Sequence, residues 1–274
     1  MTSYPDYPVI LAAVGLLREA RSISGAGVHV VVGGGDAAGL AQRLEQAFTD
    51  NSSPIGGGGP RSGGGGLPSQ SRSLDAPSVA SRQLPQWGSI EGVISIGICG
   101  ALDPALRPGD VVAGSGVRDG RTRFATDTGW TKRLLGKIPH AVGGTVAGSD
   151  LMLTTPEAKA ALHASSGALA VDMESHIAAR FAARHGLPLA VLRCVSDGAH
   201  RALPPAAQRG MRPDGSMDVG AVLGALAADP RQLPALIRTG IEAEKGFAAL
   251  LRCHHLLGPA LGFGEIGHHA LDVT

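Results

Sequence analysis

LAVLRCVSDG, residues 189–198, is the stretch on which the reading of the fold turns. Pro188 precedes it, its front half is apolar and β-prone, and Asp197-Gly198 closes it with a turn signal. It reads as a buried strand that carries Arg193 at its centre and ends on Ser196 and Asp197. One uncompensated buried charge costs about 3–5 kcal/mol. Arg193 therefore points out of the core, or something anionic meets it.

Just upstream runs ALAVDMESHIAARF (168–181). A strand ends there at Val171 and a helix follows over Met173–His185, with Ile177, Ala178, Phe181 and Ala182 on one face. Gly186 and Pro188 stop that helix. Asp172 and Glu174 fall at its first turn. N-capping and dipole complementarity account for Asp172. They account less well for Glu174 if that turn faces the crevice at the strand end. Further strand-like runs lie at Val9–Val14, Val28–Val32, Val93–Ile98, Val111–Ala113, Val142–Ala147 and Ala168–Val171, with helix-period stretches at Ala37–Phe48 and Pro156–Ala164. Alternating β and α with near-continuous apolar strands predicts an α/β protein whose parallel or mixed sheet is covered on both faces. From Met217 to Cys253 the chain is helical by composition.

The 274 residues fit one large domain over 1–274. Residues 51–89, dense in Gly, Ser and Pro and without periodicity, read as a disordered surface insertion between a helix and the next strand. Only 3% of residues are aromatic and 41 are glycine, so small aliphatic side chains build the core. The net charge of +1 offers no basic footprint for nucleic acid. Cys99, Cys194 and Cys253 are an odd, scattered set, which reads as buried free thiols in a reducing, cytoplasmic compartment. VILAAVGLL (9–17) lacks a basic leader and is shorter than the ~20 residues of a membrane span, so it reads as a first core strand. His254-His255 and His268-His269 match no zinc spacing, and no metal is expected.

Two glycine-rich turns remain. VVVGGGDAAG (30–39) approximates a dinucleotide fingerprint, but no acidic-ended second strand follows. It reads as a tight βα turn, or as a backbone cradle in which Gly33, Gly34 and Gly35 hold an anion with Arg18 or Arg193. SIGICGALDPALRPGDVV (95–112) brings a strand to Ile98, Cys99 and Gly100, where small residues let a ligand approach the backbone. In open α/β sheets such strand ends are where ligands bind.

VDMES (171–175) followed by RCVSD (193–197) is similar to the active-site pair of the purine nucleoside phosphorylase and nucleosidase superfamily. The resemblance spans nearly the whole chain outside 51–89 and implies a single-domain α/β/α sandwich around a central mixed sheet. Within the superfamily, GLLREAR (15–21) and the 97–112 stretch look most like the branch associated with hopanoid biosynthesis. That branch is taken to release adenine from adenosylhopane, a nucleoside whose 5′ carbon carries a pentacyclic lipid. The resemblance implies Asp197 as the acid at purine N7, oriented by Ser196, and Glu174 as acceptor of the ribose hydroxyls. It implies Glu19 as the carboxylate that activates water, and Arg193 either beside these carboxylates or on phosphate. Leu151 and Met152 of AGSDLML (147–153) sit where the family's purine-contacting loop lies, Met173 would touch the sugar, and backbone around Ile98–Gly100 would complete the pocket.

No cofactor is implied, though phosphate is an alternative co-substrate to water; the glycine-proline-x-arginine phosphate loop of bacterial purine phosphorylases is missing from this chain. Asp172 departs from the glutamate that nucleosidases often carry there. The family resemblance implies a homo-oligomer, a dimer or a multiple of dimers, and a lipid-linked substrate suggests peripheral membrane contact. Competing readings are a methylthioadenosine or adenosylhomocysteine nucleosidase, a non-catalytic nucleoside- or lipid-binding module, and a dinucleotide oxidoreductase.

Overall fold

Residue alternation along β1 (Val9–Val14) sets up the architecture of the protein, described by a computed structural model over residues 8–52, 89–210, 212 and 214–264. Val9, Leu11 and Ala13 join one apolar cluster while Ile10, Ala12 and Val14 join another, so both faces of the strand are covered. After β1 come α1 (Leu17–Ile23), β2 (Val28–Val32), α2 (Ala37–Ser52), β3 (Ile90–Ala101), β4 (Val111–Asp119) and β5 (Thr122–Ala125). Then follow α3 (Thr128–Lys137), β6 (Val142–Gly148), α4 (Pro156–Ser166), β7 (Ala170–Asp172), α5 (Ser175–His185) and β8 (Leu189–Asp197). The chain finishes with α6 (Pro205–Gln208), α7 (Val219–Ala228) and α8 (Leu233–Leu257).

The eight strands form one mixed sheet. β2, β1, β3 and β8 run parallel in that order, and β8 then pairs antiparallel with β4. β4 is parallel to β6, β6 to β7, and β7 returns antiparallel to the end of β3. The pairing thus closes on itself through the long, glycine-bearing β3. One face packs against α2 and α5 through Leu40, Leu44, Ile177 and Phe181; the other packs against α3 and α8 through Trp130, Leu134, Leu250 and Cys253. This is the expected single α/β domain with a central mixed sheet and helices on both faces.

Local chemistry explains the boundaries. Asp127 caps α3 by accepting from Trp130 N at 2.6 Å, and Thr155 caps α4 ahead of Pro156. Gly186, at φ +65°, ends α5 in the left-handed conformation that the sequence predicts for it. The β4–β5 hairpin extends beyond the expected Val111–Ala113 because it is an edge hairpin with mostly exposed β5 side chains and no apolar pattern; its signal is the turn at Asp119-Gly120. Of the segment expected as an insertion over 51–89, residues 53–88 lie outside the described residues, as does the His268-His269 pair. The three cysteines are free and buried. No helix among the described residues is long and apolar enough to cross a membrane.

Candidate active site

The end of β8 answers the question of Arg193. Leu189, Val191 and Val195 face the α2/α5 side, and period two puts Arg193 on that same face, beneath the start of α5. It is fully buried. Its Nε lies 2.9 Å from Asp172 Oδ2, too oblique for a hydrogen bond and so a charge contact, and its Nη1 donates to Glu174 Oε2 at 3.4 Å. Nη2 donates to Ser95 Oγ and, at 3.3 Å, to Ser175 Oγ. Burial opposes the guanidinium's charge, but Asp172, Glu174 and Glu19 outweigh it and hold Arg193 protonated.

The two acidic residues before α5 divide their tasks. Asp172 Oδ1 accepts from Glu174 N at 2.8 Å and from Ser175 N at 2.6 Å, so it caps the helix from the end of β7. Glu174, at the N-cap position, makes no capping bond with its side chain. Its carboxyl lies between Arg193 and Gly15, where a Cβ would come within 2.6 Å of Oε1. Burial, then the neighbouring Asp172 and Glu19, push Glu174 up to about 8 against the pull of Arg193.

Glu19 is held rigidly. Its Oε2 accepts from Gly15 N at 2.7 Å and Leu16 N at 2.8 Å, and its Oε1 accepts from Ile98 N at 2.7 Å. Burial raises its pKa above the ordinary carboxylate range, while Arg193 and these three amides work in the other direction. A Cβ at Gly97 would lie 2.5 Å from Glu19 Oε1 and 3.0 Å from Arg193 Nη1, so only glycine leaves room for this pair.

Asp197 ends β8 opposite Gly100, after a bulge in the β3–β8 register. Ser196 Oγ sits 2.9 Å from both Asp197 Oδ1 and Cys99 O, and so bridges the acid to β3. Lys159 of α4 donates to Asp197 Oδ2, to Gly198 O at 3.0 Å and to Arg201 O at 3.2 Å.

These groups face one pocket. Glu19, Ile98, Cys99, Gly100, Leu151, Met152, Met173, Glu174, Ser196 and Asp197 all line it. Arg193 lies beneath it rather than in its wall. Gly33 approaches Glu174 from behind, where a Cβ would be 3.5 Å from Cγ, but Gly33, Gly34 and Gly35 do not line the pocket. Gly33 N donates to Val14 O at 2.7 Å and Gly34 N to Gly15 O at 2.8 Å, so two of the three amides are closed to an anion. Arg18 pairs with Glu244 and lies over the Phe247 ring at 4.0 Å.

Pattern reading missed the residues that reach the pocket from the part of the chain after β8: Leu203 in the loop before α6, Ala207 of α6, and Thr239 and Ala243 of α8. It also missed Lys159, which reads as one more lysine of an alanine-rich helix. Among the described residues lining the pocket there are four carboxylates, Glu19, Asp172, Glu174 and Asp197, and no lysine, arginine or histidine. Among the described residues no group of three or more His, Cys, Asp or Glu is placed to hold a metal.

A closed mixed sheet under two helix layers, with buried carboxylates converging at the ends of β3, β7 and β8, defines a nucleoside phosphorylase-like protein. The family model of the Phosphorylase superfamily matches residues 75–228, more than half of the chain. The chain belongs to the Phosphorylase superfamily, a superfamily of enzymes. A curated relative, the 5′-methylthioadenosine/S-adenosylhomocysteine nucleosidase of Treponema pallidum, is 35% identical over 63 residues, a match that spans 23% of this chain and 23% of that protein's length. The solved Helicobacter pylori 5′-methylthioadenosine/S-adenosylhomocysteine nucleosidase, complexed with a pyrrolidinol carrying a pyrrolopyrimidine, is 13% identical with a TM-score of 0.50 over 81% of this chain and 98% of that one. The Helicobacter pylori futalosine hydrolase is 14% identical with a TM-score of 0.49, again over 81% of this chain and 98% of that one. At such identities the likeness to solved structures concerns the fold alone.

Proposed function

We propose that this protein cleaves the N-glycosidic bond of an adenine nucleoside by hydrolysis, with adenosylhopane as its substrate. The observation that carries the cleavage reading is the pocket itself, in which Glu19, Glu174 and Asp197 and, among the described residues, no cation face apolar walls, with Asp172 held beneath by Arg193 and the α5 amides. A ribosyl group leaving its purine becomes oxocarbenium-like and gains positive charge, which fixed carboxylates in a dry site stabilise. Glu174, raised to about 8 in the ligand-free pocket, is placed against the ribose hydroxyls and stabilises that charge in its ionised form. Asp197, steadied by Ser196, donates to purine N7, because adenine leaves poorly as an anion; such acid assistance is worth ~10²–10⁴-fold. Glu19, fixed by three backbone amides, orients the attacking water.

Water is the favoured nucleophile on electrostatic grounds. A phosphate dianion entering here would meet repulsion from every carboxylate that is ionised, and the guanidinium beneath the pocket, Arg193, is already committed to Asp172 and Glu174. The apolar wall of Leu16, Leu151, Leu153, Leu203, Ala207 and Ala243 supports a lipid-like 5′ substituent. Exposed Leu233, Ile237 and Ile241, spaced four apart on α8, support contact with a bilayer or assembly into dimers in the cytoplasm. A second reading, methylthioadenosine or adenosylhomocysteine as substrate, is favoured by the relative from Treponema pallidum.

The test is adenine release from adenosylhopane and from methylthioadenosine, each with and without phosphate. Release from the hopane compound that ignores phosphate is expected. Turnover of methylthioadenosine alone would move the second reading forward, and a strict phosphate requirement would replace Glu19-activated water with phosphate.

A further inference from the structure

Among the described residues Lys159 is, with Arg193, a fully buried cation, and its carboxylate partner is a different one from those of Arg193. The three acceptors around its ammonium, Asp197 Oδ2, Gly198 O and Arg201 O, match the three donors of that group. Arg193 is turned the other way, toward Ser95, Asp172, Glu174 and Ser175. The buried charges thus form two separate sets, one under the sugar carboxylates and one behind the purine acid. Oδ2, the oxygen that meets Lys159, is also the Asp197 oxygen nearer to Gly100 in the pocket wall, 3.2 Å from where a Cβ would stand.

We propose that Lys159 is the reservoir of the proton that the leaving purine takes up, a positioning residue that acts through Asp197. This rests on the nucleoside-cleavage reading above. As the C1′–N9 bond breaks, its electron pair passes to the purine. Asp197 Oδ2 takes a proton from the Lys159 ammonium, which becomes an amine, and passes it to N7. The ammonium donates to all three acceptors; the amine keeps two N–H groups on Gly198 O and Arg201 O, and its lone pair takes back the proton that Oδ2 next receives. Water adds its oxygen to C1′ and releases one proton to solvent. Solvent returns one proton to Lys159 through Asp197 after the purine has left, so the cycle balances.

The titratable groups on the elements around the pair are Cys99 on β3, Glu157 and His163 on α4, His200 and Arg201 after β8, and Glu242 on α8. Burial keeps the Cys99 thiol well above its ordinary range, His163 Nδ1 is 2.8 Å from Ala168 O, and the Arg201 guanidinium is turned to Glu242 at 3.2 Å. None of these is the hydrogen-bonded neighbour that Lys159 is to Asp197.

The experiment follows kcat and KM for adenine release against pH in the wild type, Lys159→Met and Lys159→Arg, with adenosylhopane and methylthioadenosine as substrates. Lys159→Met is expected to lose about 10²-fold in kcat in neutral and alkaline buffer, with KM little changed, and to recover toward acid where solvent protonates Asp197 directly. Lys159→Arg keeps a cation beside Asp197 but releases no proton below pH ~12, so it should regain thermal stability and not alkaline activity. An equal loss at every pH in the methionine variant, or full activity in the arginine variant, would overturn the proposal and leave Lys159 as a loop anchor. If neither variant folds, the wild-type profile decides: kcat that holds from neutral into alkaline buffer supports the reservoir, and kcat that falls as pH rises from acid to neutral refutes it. A wild type that releases adenine from neither nucleoside would overturn the cleavage reading itself, and this inference with it.

Discussion

Arg193 and Asp172 face each other at 2.9 Å between the centre of β8 and the end of β7, and neither side chain reaches bulk water. The contact joins two strands that are not neighbours in the sheet, since β3 lies between them. Asp172 at the same time caps α5 through the amides of Glu174 and Ser175. Position and charge of Glu174 therefore both depend on one guanidinium. Arg193→Met removes the cation that, alone among the described residues, faces Asp172, Glu174 and Glu19 together, and should cost about 3–5 kcal/mol. Urea titration of the variant against the wild type measures this. A loss below about 1 kcal/mol, the range of an exposed pair, would mean that the cluster is solvated.

Glu174 gives the protein a pH signature. Its carboxyl is raised to about 8 in the fold from an ordinary 4.5, chiefly by burial, so between those values the folded chain holds a proton that the unfolded chain has lost. A raised folded pKa contributes stability that is fully present below the unfolded value and is lost as pH rises through the folded one. The thermal midpoint of the ligand-free protein should fall as pH increases from about 5 to about 8. Glu174→Gln removes the titration and should flatten that slope. An unchanged slope in the variant would assign the effect to other groups.

Gly97 makes a prediction that separates geometry from stability. Its missing side chain lets Glu19 and Arg193 come together, and an alanine methyl would stand 2.5 Å from Glu19 Oε1. Gly97→Ala must displace Glu19 from its bond with Ile98 N. A shift of about 1 Å in a catalytic group can cost about 10²-fold. Calorimetry is expected to show a folded variant, and kcat for adenine release should drop by about that factor. Wild-type turnover would show that Glu19 has no part in positioning water.

Much of this was legible in the chain because the site is built from contiguous signals. VDMES and RCVSD each carry a strand end together with its polar residues, and period two places Arg193 on the face of α5. Elements made of several short-range cues, such as α5 with its glycine stop, emerged with only small shifts at the ends. Lys159 was not legible, since it precedes Asp197 by 38 residues and its own neighbourhood is a run of alanines. Only the packing of α4 against the end of β8 makes it part of the site. The same holds for Thr239 and Ala243, which reach the pocket from α8 because Gly246 lets that helix approach β8, a Cβ there lying 3.0 Å from Val195 O. Strand β5 escaped for the opposite reason, its mostly exposed side chains having no burial to pattern them.

Asp197→Asn tests the centre of the chemistry. The amide oxygen can still accept from Lys159 while the amide NH2 donates to Ser196 Oγ, whose own proton stays on Cys99 O, so the loop after β8 keeps its anchor and the variant is expected to fold. What it loses is the exchangeable proton on the path to N7. Adenine release should fall by about 10²–10⁴-fold, the usual worth of a general acid. A nucleoside analogue whose leaving group departs without protonation, such as a p-nitrophenyl riboside, should lose far less, because Glu174 and Glu19 still face the sugar. Parallel losses on both substrates would instead mean that Asp197 acts by shaping the pocket. Equal activity of variant and wild type on adenine nucleosides would remove Asp197 from the reaction.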